Sequence, residues 1–254
     1  MQIVRYRNGD EIRTGILEGD VVRQARGDMF DRLAVGPPEG TLDEVELVAP
    51  VVPGKLIAIG LNYKDHVEQD TDMELPENPI IFLKPPSAII GPDAPIILPN
   101  GPENVDAEAE LCIVIGKHCR NVSAEDAASV ILGYCCGNDV SARDYQFKDG
   151  QWVRAKGFDT FAPLGPAIVT DVDASDLAVS ARVNGEQSQN STTAMLIFDV
   201  PTLVEFISGV MTLEPGDVIM TGTPAGPPRL QDGDVCEIEI EGLGVLRNPV
   251  QAAG

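Results

Sequence analysis

Two glutamates stand on either side of a single alanine at the start of an apolar run. Glu108 and Glu110 open the segment, which continues through Leu111 and Ile113 to Ile115. Because side chains on a β-strand alternate between its two faces, the pattern predicts both carboxylates on one face, about 6.5 Å apart along the strand. Toward the C-terminal end both faces are apolar, which predicts burial on both sides. Burying two carboxylates together is unfavourable unless a cation or hydrogen-bond donors compensate.

This acidic pair has two interpretations. A hard divalent cation accepts carboxylate oxygens in such an arrangement, which favours a metal site. Alternatively, the strand end is solvated and its acids face water, as most charged side chains do. Further along the chain, Asp139 follows a short apolar segment and precedes a polar turn. At the end of a strand, this carboxylate can complete a face of three oxygens and leave metal positions for water and substrate.

The chain contains two histidines, one of which is a candidate general base. The imidazole of His66 is suited to activating water for hydrolysis, because histidine changes charge near neutral pH. The alternative is a structural histidine whose ring nitrogens are satisfied by the protein. His118 lies in a polar turn and is expected to be exposed. Asp144, beside Arg143, is interpreted as a structural ion pair or a cap.

The composition argues against several classes of partner. Forty acidic residues against 18 basic ones give a net charge of −22, which repels nucleic acids and anionic membrane surfaces. No run of about 18 apolar residues occurs, and the N-terminus lacks an apolar stretch of signal-peptide length. A cytoplasmic protein without a membrane segment is therefore expected. Scattered acids with few lysines are typical of proteins that work at high salt, which suggests a halophilic source.

The 254 residues are expected to form a small N-terminal β domain, 1–50, and a larger catalytic domain, 51–254. Turn signals between β-branched runs predict hairpins in the first of these. Early strands are predicted near 2–6, 11–17 and 20–24. A Pro/Gly-rich stretch, 36–40, follows, and Pro50 and Pro53 bracket a predicted linker.

Helices are few in the expected fold. Ser123–Leu132 is the best candidate, with Ser123 as its N-cap and Gly133 as its terminating residue. Val200–Val210 is a second candidate, with Pro201 near its N-terminus. Most other segments alternate or are β-branched, so the expected fold is mainly β, closer to a sandwich or barrel than to a doubly wound sheet. The five cysteines are odd in number and lack a C-x-x-C motif, so free thiols are expected.

Several motifs that occur in a fixed order resemble the fumarylacetoacetate hydrolase family between about residues 54 and 247. They are Gly60–His66, Phe82–Pro85, Glu108–Leu111, Asn138–Asp144, Lys156–Asp159, Val183–Glu186 and Gly216–Pro224. The first 50 residues resemble the small N-terminal domain of some bacterial and archaeal members. The resemblance implies a β-sandwich roll around a metal site and, usually, a homodimer. It identifies Glu108, Glu110 and Asp139 with the ligands of Mg²⁺ or Mn²⁺ (Ca²⁺ in some members).

The resemblance also implies an activity. Members of this size include acylpyruvate hydrolases, oxaloacetate decarboxylases and isomerase/decarboxylases of homoprotocatechuate breakdown. A small-molecule 2-oxo acid can chelate the metal, which stabilises the enolate formed during C–C cleavage, decarboxylation or isomerisation. Lys156 resembles the family's lysine beside this oxyanion, and Thr223 resembles its contact with the substrate carboxylate. Backbone N–H groups near Gly222 and the side chain of Gln146 are further candidates for substrate binding.

One position departs from the family's pattern. In hydrolytic members the histidine that matches His66 has a glutamate three residues later, and here that residue is Gln69. Gln69 can hydrogen-bond the imidazole but does not stabilise its cation as a carboxylate would. Glu68 is a candidate substitute, within a lid predicted over 68–79. C–C cleavage of an acylpyruvate-like or oxaloacetate-like acid is the leading hypothesis. A 2-hydroxyhepta-2,4-diene-1,7-dioate-type isomerase and a catalytically silent metal-binding protein are the alternatives.

Overall fold

The structure of the protein, a computed structural model, describes residues 1–70 and 74–254. This part of the chain is mainly β with a few short helices, as expected from the sequence. The strands are β1 (Gln2–Asn8), β2 (Glu11–Glu18), β3 (Val21–Asp28), β4 (Arg32–Thr41), β5 (Glu46–Val48), β6 (Leu56–Gly60), β7 (Ile80–Lys84), β8 (Ile89–Ile90), β9 (Ile96–Leu98), β10 (Val105–Asp106), β11 (Ala109–Ile115), β12 (Ile131–Asn138), β13 (Ser141–Ala142), β14 (Ala162–Val169), β15 (Ala178–Val183), β16 (Glu186–Thr192), β17 (Val218–Met220), β18 (Val235–Ile240) and β19 (Gly244–Ala252). The α-helices are α1 (Lys64–Asp70), α2 (Arg143–Asp149), α3 (Val153–Lys156) and α4 (Val200–Val210), and 3-10 helices span Pro86–Ala88, Ala124–Ser129 and Thr193–Met195.

Two sheets form the body of the fold. The larger has 12 strands and follows the order β4-β3-β2-β1-β14-β12-β11-β17-β6-β7, with β5 beside β1 and β8 beside β14. A five-stranded sheet has the order β16-β15-β18-β19-β9, and β10 pairs with β13 alone. Most neighbours are antiparallel, whereas β17 with β6, β14 with β8 and β19 with β9 are parallel.

The five-stranded sheet packs on one face of the larger sheet, where β11, β12 and β14 meet β15, β18 and β19. The core between the sheets contains Leu111 and Ile113 from β11 together with Ile238 from β18. The opposite face of β11 contributes Cys112 and Val114 to a second core. Burying one such aliphatic side chain contributes about 1.5–3 kcal/mol to stability. The alternation predicted for β11 and the sandwich architecture are both confirmed.

The N-terminal hairpins extend the larger sheet. β1 pairs with β14 through Gln2 and Ile3, so the first residues join the central strands. The strands predicted near 2–6, 11–17 and 20–24 are present as β1, β2 and β3. The Pro/Gly-rich stretch 36–40 lies inside β4, where the sequence indicated only a break between elements. Because β4 is an edge strand with register shifts against β3, it tolerates Pro37 and Pro38, which have no N–H for a second neighbour.

One of the two predicted helices is confirmed, as α4. Asp199 accepts the backbone N–H of Thr202 at 3.0 Å, and Pro201 lies in the first turn. The prediction of a helix from Ser123 to Leu132 is wrong in type and length. Ser123 caps a 3-10 helix that ends at Ser129, because the apolar residues that follow pair as β12 with β11 and β14. None of the helices described here is long and apolar enough to cross a membrane.

All five cysteines are free and buried, which confirms the expectation of unpaired thiols. Cys112, Cys135 and Cys136 are each 0% exposed, on neighbouring strands β11 and β12 of the larger sheet. They act as small apolar side chains in the two cores rather than as ligands or cross-links.

Candidate metal centre and active site

Strand pairing brings the three predicted metal ligands together. Glu110 lies in β11, Glu108 just before it, and Asp139 directly after β12. The antiparallel register pairs Ala109 with Asn138, and the N–H of Asp139 donates to the carbonyl oxygen of Glu108 at 3.0 Å. One carboxylate oxygen from each of the three residues lies within 4.8 Å of the others. A single divalent cation can contact all three, since its oxygen ligands lie up to about 2.6 Å from it.

The three carboxylates are withdrawn from solvent. Glu108 is 3% exposed, and Glu110 and Asp139 are each 1% exposed. The alternative interpretation of Glu108 and Glu110, a solvated strand end, is therefore wrong. Buried carboxylates require compensation by opposite charge and by hydrogen bonds, so the neighbours of the triad determine what it can do.

Three basic side chains surround the triad. The Nζ atom of Lys156 lies 2.7 Å from Oε2 of Glu108 and 2.5 Å from Oδ2 of Asp139. Lys84, fully buried, donates from its Nζ to the other oxygen of Asp139, Oδ1. Arg143 pairs through Nη2 with Oε1 of Glu108 at 2.6 Å. Basic side chains thus contact both oxygens of the Glu108 carboxylate and both oxygens of the Asp139 carboxylate.

The pKa values of the ionisable groups in this cluster shift in different directions. Burial alone would raise the pKa of Glu108, but the charges of Lys156 and then Arg143 outweigh it and hold that pKa far below its ordinary value. Burial, followed by the negative charges of Asp139 and Glu108, raises the pKa of Glu110 well above its ordinary value. Burial would lower the pKa of Lys156, but Asp139 and Glu108 outweigh it and raise it. Lys156 therefore remains a cation at neutral pH.

The residues fit a divalent cation. In residues 1–70 and 74–254, the bases contact Glu108 and Asp139, whereas the carboxylate of Glu110 accepts only the backbone N–H of Gly222, at 2.8 Å. A cation beside Glu110 would supply the missing positive charge and lower its pKa. Three carboxylate oxygens suit the hard ions Mg²⁺, Mn²⁺ and Ca²⁺.

A tight turn after β17 determines the position of the Gly222 N–H. Gly222 has φ of +102°, and a Cβ built there would lie 2.9 Å from the Cβ of Asn62, so only glycine fits. Asn62 holds the turn by donating from Nδ2 to the carbonyl oxygens of Thr221, at 2.8 Å, and Phe198, at 3.0 Å. The Gly222 N–H points at Glu110, so its visible role is to hold a candidate metal ligand. Its contact with a substrate stays a prediction.

A cleft over the triad contains most of the predicted catalytic and substrate-binding side chains. His66, Gln146, Lys156 and Thr223 line it together with the three carboxylates. Gln146 accepts a hydrogen bond from Nη1 of Arg143 at 2.7 Å, so its amide nitrogen remains available as a donor. These residues come from α1, α2, α3 and the turn after β17, which the sheet brings to one place.

Two residues considered as partners of His66 do not line this cleft. Glu68 and Gln69 lie in α1 with exposed side chains. The lid predicted over 68–79 falls partly outside the described residues, since 71–73 are not among them.

The sequence indicated no role for Lys84, and of the two interpretations of Asp144, an ion pair with Arg143 or a cap, the structure bears out the second kind, a carboxylate that binds backbone N–H groups. Asp144 accepts hydrogen bonds from the backbone of Asn104, at 2.8 Å, and of Glu103, so it is structural but is not paired with Arg143. Arg143 contacts Glu108 and also Asp106. The available signal for Lys84 was its place at the end of an otherwise apolar strand, because a lysine there needs a buried anion.

Trp152 forms part of the cleft wall. Its ring lies directly over Gly60, where a Cβ would be only 2.2 Å from the ring atom Cζ3. The ring also meets Phe82 edge-on, with 5.3 Å between centroids. A glycine at the end of β6 is therefore required for the ring to take this place.

Comparisons with known proteins agree with this architecture. A model of the fumarylacetoacetate (FAA) hydrolase C-terminal domain matches residues 55–251, and a model described as Rv2993c-like, N-terminal, matches residues 1–50. A protein from Archaeoglobus fulgidus is 58% identical over 210 residues, which cover 83% of this chain and 84% of that protein. An oxaloacetate tautomerase from Xenopus laevis is 47% identical over 220 residues, covering 81% of this chain and 68% of that protein.

Solved structures extend the similarity over the whole chain. The 5-carboxymethyl-2-hydroxymuconate delta-isomerase from Mycobacterium smegmatis is 48% identical, with a TM-score of 0.92 and 100% of both chains covered. Because the family model spans most of the chain and the structural match includes its N-terminal strands, the resemblance found in the sequence motifs is confirmed. The chain belongs to the fumarylacetoacetate hydrolase family.

Proposed function

We propose that the protein is a divalent-metal-dependent enzyme that transfers a proton through the enolate of a 2-oxo dicarboxylic acid, as a tautomerase or isomerase. One observation carries this proposal: a buried triad of carboxylates, with Glu110 held by a backbone N–H rather than by a base, lies in a cleft beside the cationic Lys156. The fold and family supply the context, since members are enzymes of hydrolase, isomerase and tautomerase type.

The charges around the cleft favour an anionic substrate. Three bases, Lys84, Arg143 and Lys156, lie against a triad of three carboxylates, so these charges nearly balance. Asp106, which also contacts Arg143, is matched by Arg229 at 2.6 Å. A bound divalent cation would therefore leave an excess of positive charge in a mostly buried site. Coulomb attraction then favours a doubly charged dicarboxylate over a monoanion.

The chain's own residues would orient the substrate and accept developing negative charge. Glu108, Glu110 and Asp139 would hold the cation, which supplies Lewis-acid polarisation of a 2-oxo group. The three N–H donors of Lys156 already bind Glu108, Asp139 and Ser141. Lys156 would therefore stabilise an oxyanion in the cleft through its charge. Thr223 and Gln146, which both line the cleft, would bind a substrate carboxylate.

Proton transfer is favoured over hydrolysis on two grounds. The matching glutamate of hydrolytic members is replaced by Gln69, and both Gln69 and Glu68 are exposed outside the cleft. The similar proteins from Mycobacterium smegmatis and Xenopus laevis are named for isomerisation and tautomerisation, which need no water as nucleophile.

C–C cleavage of an acylpyruvate or of oxaloacetate is the second candidate. One observation supports it: the side chain of His66 lines the cleft, where a general base could activate water. A catalytically silent metal-binding protein is the non-enzymatic alternative, and metal-dependent turnover of any 2-oxo acid would eliminate it.

The test is a spectrophotometric assay of enol-oxaloacetate and, separately, of acetylpyruvate, in molar KCl with Mg²⁺ or Mn²⁺ and with EDTA. Faster enol-to-keto conversion with total oxaloacetate conserved, abolished by EDTA, supports the proposal. Loss of oxaloacetate to pyruvate, or cleavage of acetylpyruvate, would move the assignment to C–C cleavage. Bound metal without turnover of either compound would leave an isomerase of larger dienoate substrates and the silent protein, which an assay of a 2-hydroxydienoate separates. Glu110→Gln, with one candidate ligand removed, is the control.

Three further features are proposed with this function. The chain is expected to form a homodimer in the cytoplasm and to divide at about residue 50 into an N-terminal unit and a catalytic domain. Size-exclusion chromatography with light scattering tests the assembly, and expression of 51–254 alone tests the division.

A further inference from the structure

A buried amide connects the acidic strand to the turn that carries Thr223. Gln189 lies in β16 and is 0% exposed, although its neighbours Ser188 and Asn190 are exposed. Its Oε1 accepts the backbone N–H of Ala109, the residue between the two glutamates, at 2.9 Å. Its Nε2 donates to Oγ1 of Thr223 at 2.9 Å and to the carbonyl oxygen of Pro224 at 2.7 Å.

Two backbone groups determine the orientation of this amide, because one is only a hydrogen-bond donor and the other only an acceptor. The N–H of Ala109 can only donate, and the carbonyl oxygen of Pro224 can only accept. If the amide of Gln189 were flipped, its nitrogen would face the N–H and its oxygen would face the carbonyl, leaving both buried groups unsatisfied. Gln189 must therefore present its Nε2, a donor, to the hydroxyl of Thr223.

The hydroxyl of Thr223 consequently acts as an acceptor on the side that faces Gln189. Because Oγ1 accepts from Gln189, its own proton is directed away from Gln189 and is available to donate. Thr223 lines the cleft that contains the triad. A hydroxyl that donates into the cleft prefers an anionic acceptor, since hydrogen bonds to charged groups are stronger than neutral ones.

We propose that Gln189 is a positioning residue that fixes the Thr223 hydroxyl as a donor to a substrate carboxylate and sets its distance from the metal-binding carboxylates. The proposal rests on the proposed function for the identity of the ligand. The same amide contacts the backbone of the acidic strand and Thr223, so neither can shift without the other. The carboxylate and the metal-chelating 2-oxo group of one ligand would thereby each meet a binding group at a fixed spacing.

Gln189→Glu tests this with a minimal change of shape. The introduced side chain still accepts from Ala109 and, in its ionised form, cannot donate. The Thr223 hydroxyl would then donate to that carboxylate and offer the cleft only lone pairs. Asn190→Asp is the matched control, because Asn190 is the next residue of the same strand, has an exposed side chain and gains the same charge. Thr223→Val and Thr223→Ser complete the set.

The main readout is binding of oxalate in saturating Mg²⁺, followed by fluorescence of Trp152, the only tryptophan and a cleft residue. We expect Gln189→Glu and Thr223→Val to weaken oxalate binding by about tenfold or more, with no added effect when combined. Asn190→Asp should bind as the unmodified protein does, and Thr223→Ser, which keeps the hydroxyl, should bind oxalate more tightly than Thr223→Val. Where turnover is measurable, KM should rise more than kcat falls in Gln189→Glu.

Unchanged oxalate affinity in a folded Gln189→Glu protein, or an equal loss in Asn190→Asp, would overturn the proposal. If Gln189→Glu does not fold, Thr223→Val and Thr223→Ser decide, since equal affinity in the two means that no hydroxyl donates to the ligand. The oxalate measurement does not require turnover. A protein that binds oxalate in this pattern but converts no 2-oxo acid would therefore refute the proposed function while supporting the role of Gln189.

Discussion

The ammonium group of Lys156 lies 2.5 Å from Oδ2 of Asp139, and both side chains are almost fully buried. One residue ends α3 and the other follows β12, so the contact exists only in the folded chain. Its second contact, with Glu108, makes the lysine the shared counter-ion of two candidate metal ligands.

Replacing Lys156 by methionine should impair both stability and activity. The change leaves two buried carboxylates with one base fewer, and removing one partner of a buried pair costs about 3–5 kcal/mol. Turnover should fall by about 100-fold or more, because the charge beside the developing oxyanion is lost. Thermal unfolding and kcat measure the two effects. Lys148→Met, which alters an exposed lysine in α2, is the control and should change neither.

Glu110→Gln should stabilise the metal-free protein while abolishing metal binding. The pKa of Glu110 is raised in the folded state, so below its unfolded value the carboxyl is neutral and costs nothing. As pH rises from the unfolded pKa to the folded pKa, the unfolded state ionises this carboxyl while the native state keeps it neutral, so the native state loses stability, which glutamine avoids. The Tm advantage of Glu110→Gln should thus be absent near pH 4 and grow toward neutral pH. The same Tm difference between Glu110→Gln and the unmodified protein at pH 4 and at neutral pH would contradict a raised pKa of Glu110.

The thiols should be inert in the native protein. Burial raises the pKa of Cys236 to about 12 and also raises the pKa of Cys136, so almost no reactive thiolate exists at neutral pH. A chromogenic disulfide reagent should titrate fewer than one thiol per native chain and five in denaturant. Reducing agents should leave the Tm unchanged. Rapid modification of a native thiol would show that the strand cores open readily.

Gly60→Ala should displace Trp152. The new methyl would lie 2.2 Å from the ring atom Cζ3 and 2.6 Å from Cη2, so the ring must leave its place over β6 and its edge contact with Phe82. We expect a shift in tryptophan emission and a several-fold rise in the KM or oxalate dissociation constant. Gly209→Ala in α4 is the control, because a Cβ there meets nothing within 4 Å. Identical emission in both variants would exclude this packing.

The acidic surface should make stability depend on salt. A net charge of −22 on one chain is self-repulsive, and at about 1 M salt the Debye length falls to about 3 Å. The Tm should rise by several degrees in molar KCl, and the chain should unfold in dilute buffer if the source is halophilic. A neutral solute at equal osmolarity is the control. Full stability in dilute buffer would rule out the halophilic interpretation.

Local patterns predicted the parts of the fold that depend on periodicity. Alternation around Glu108 and Glu110 predicted their shared face and the double burial of β11, because strand geometry depends only on neighbours in sequence. The cap and proline of α4 are local for the same reason. The helix predicted from Ser123 failed because its last residues gain more from pairing between two strands than from helical hydrogen bonds, a comparison that involves distant partners.

The family, the mainly β fold and the residue types of a three-carboxylate site could all be predicted from local sequence patterns and motifs. The folded chain establishes which bases meet those carboxylates: Lys84 approaches from β7, Arg143 from α2 and Lys156 from α3. It also places the buried amide of Gln189, which lies in a largely exposed strand, between the N–H of Ala109 and the hydroxyl of Thr223. The physical reason is that burial and charge compensation depend on contacts between residues far apart in the chain, which local periodicity does not encode.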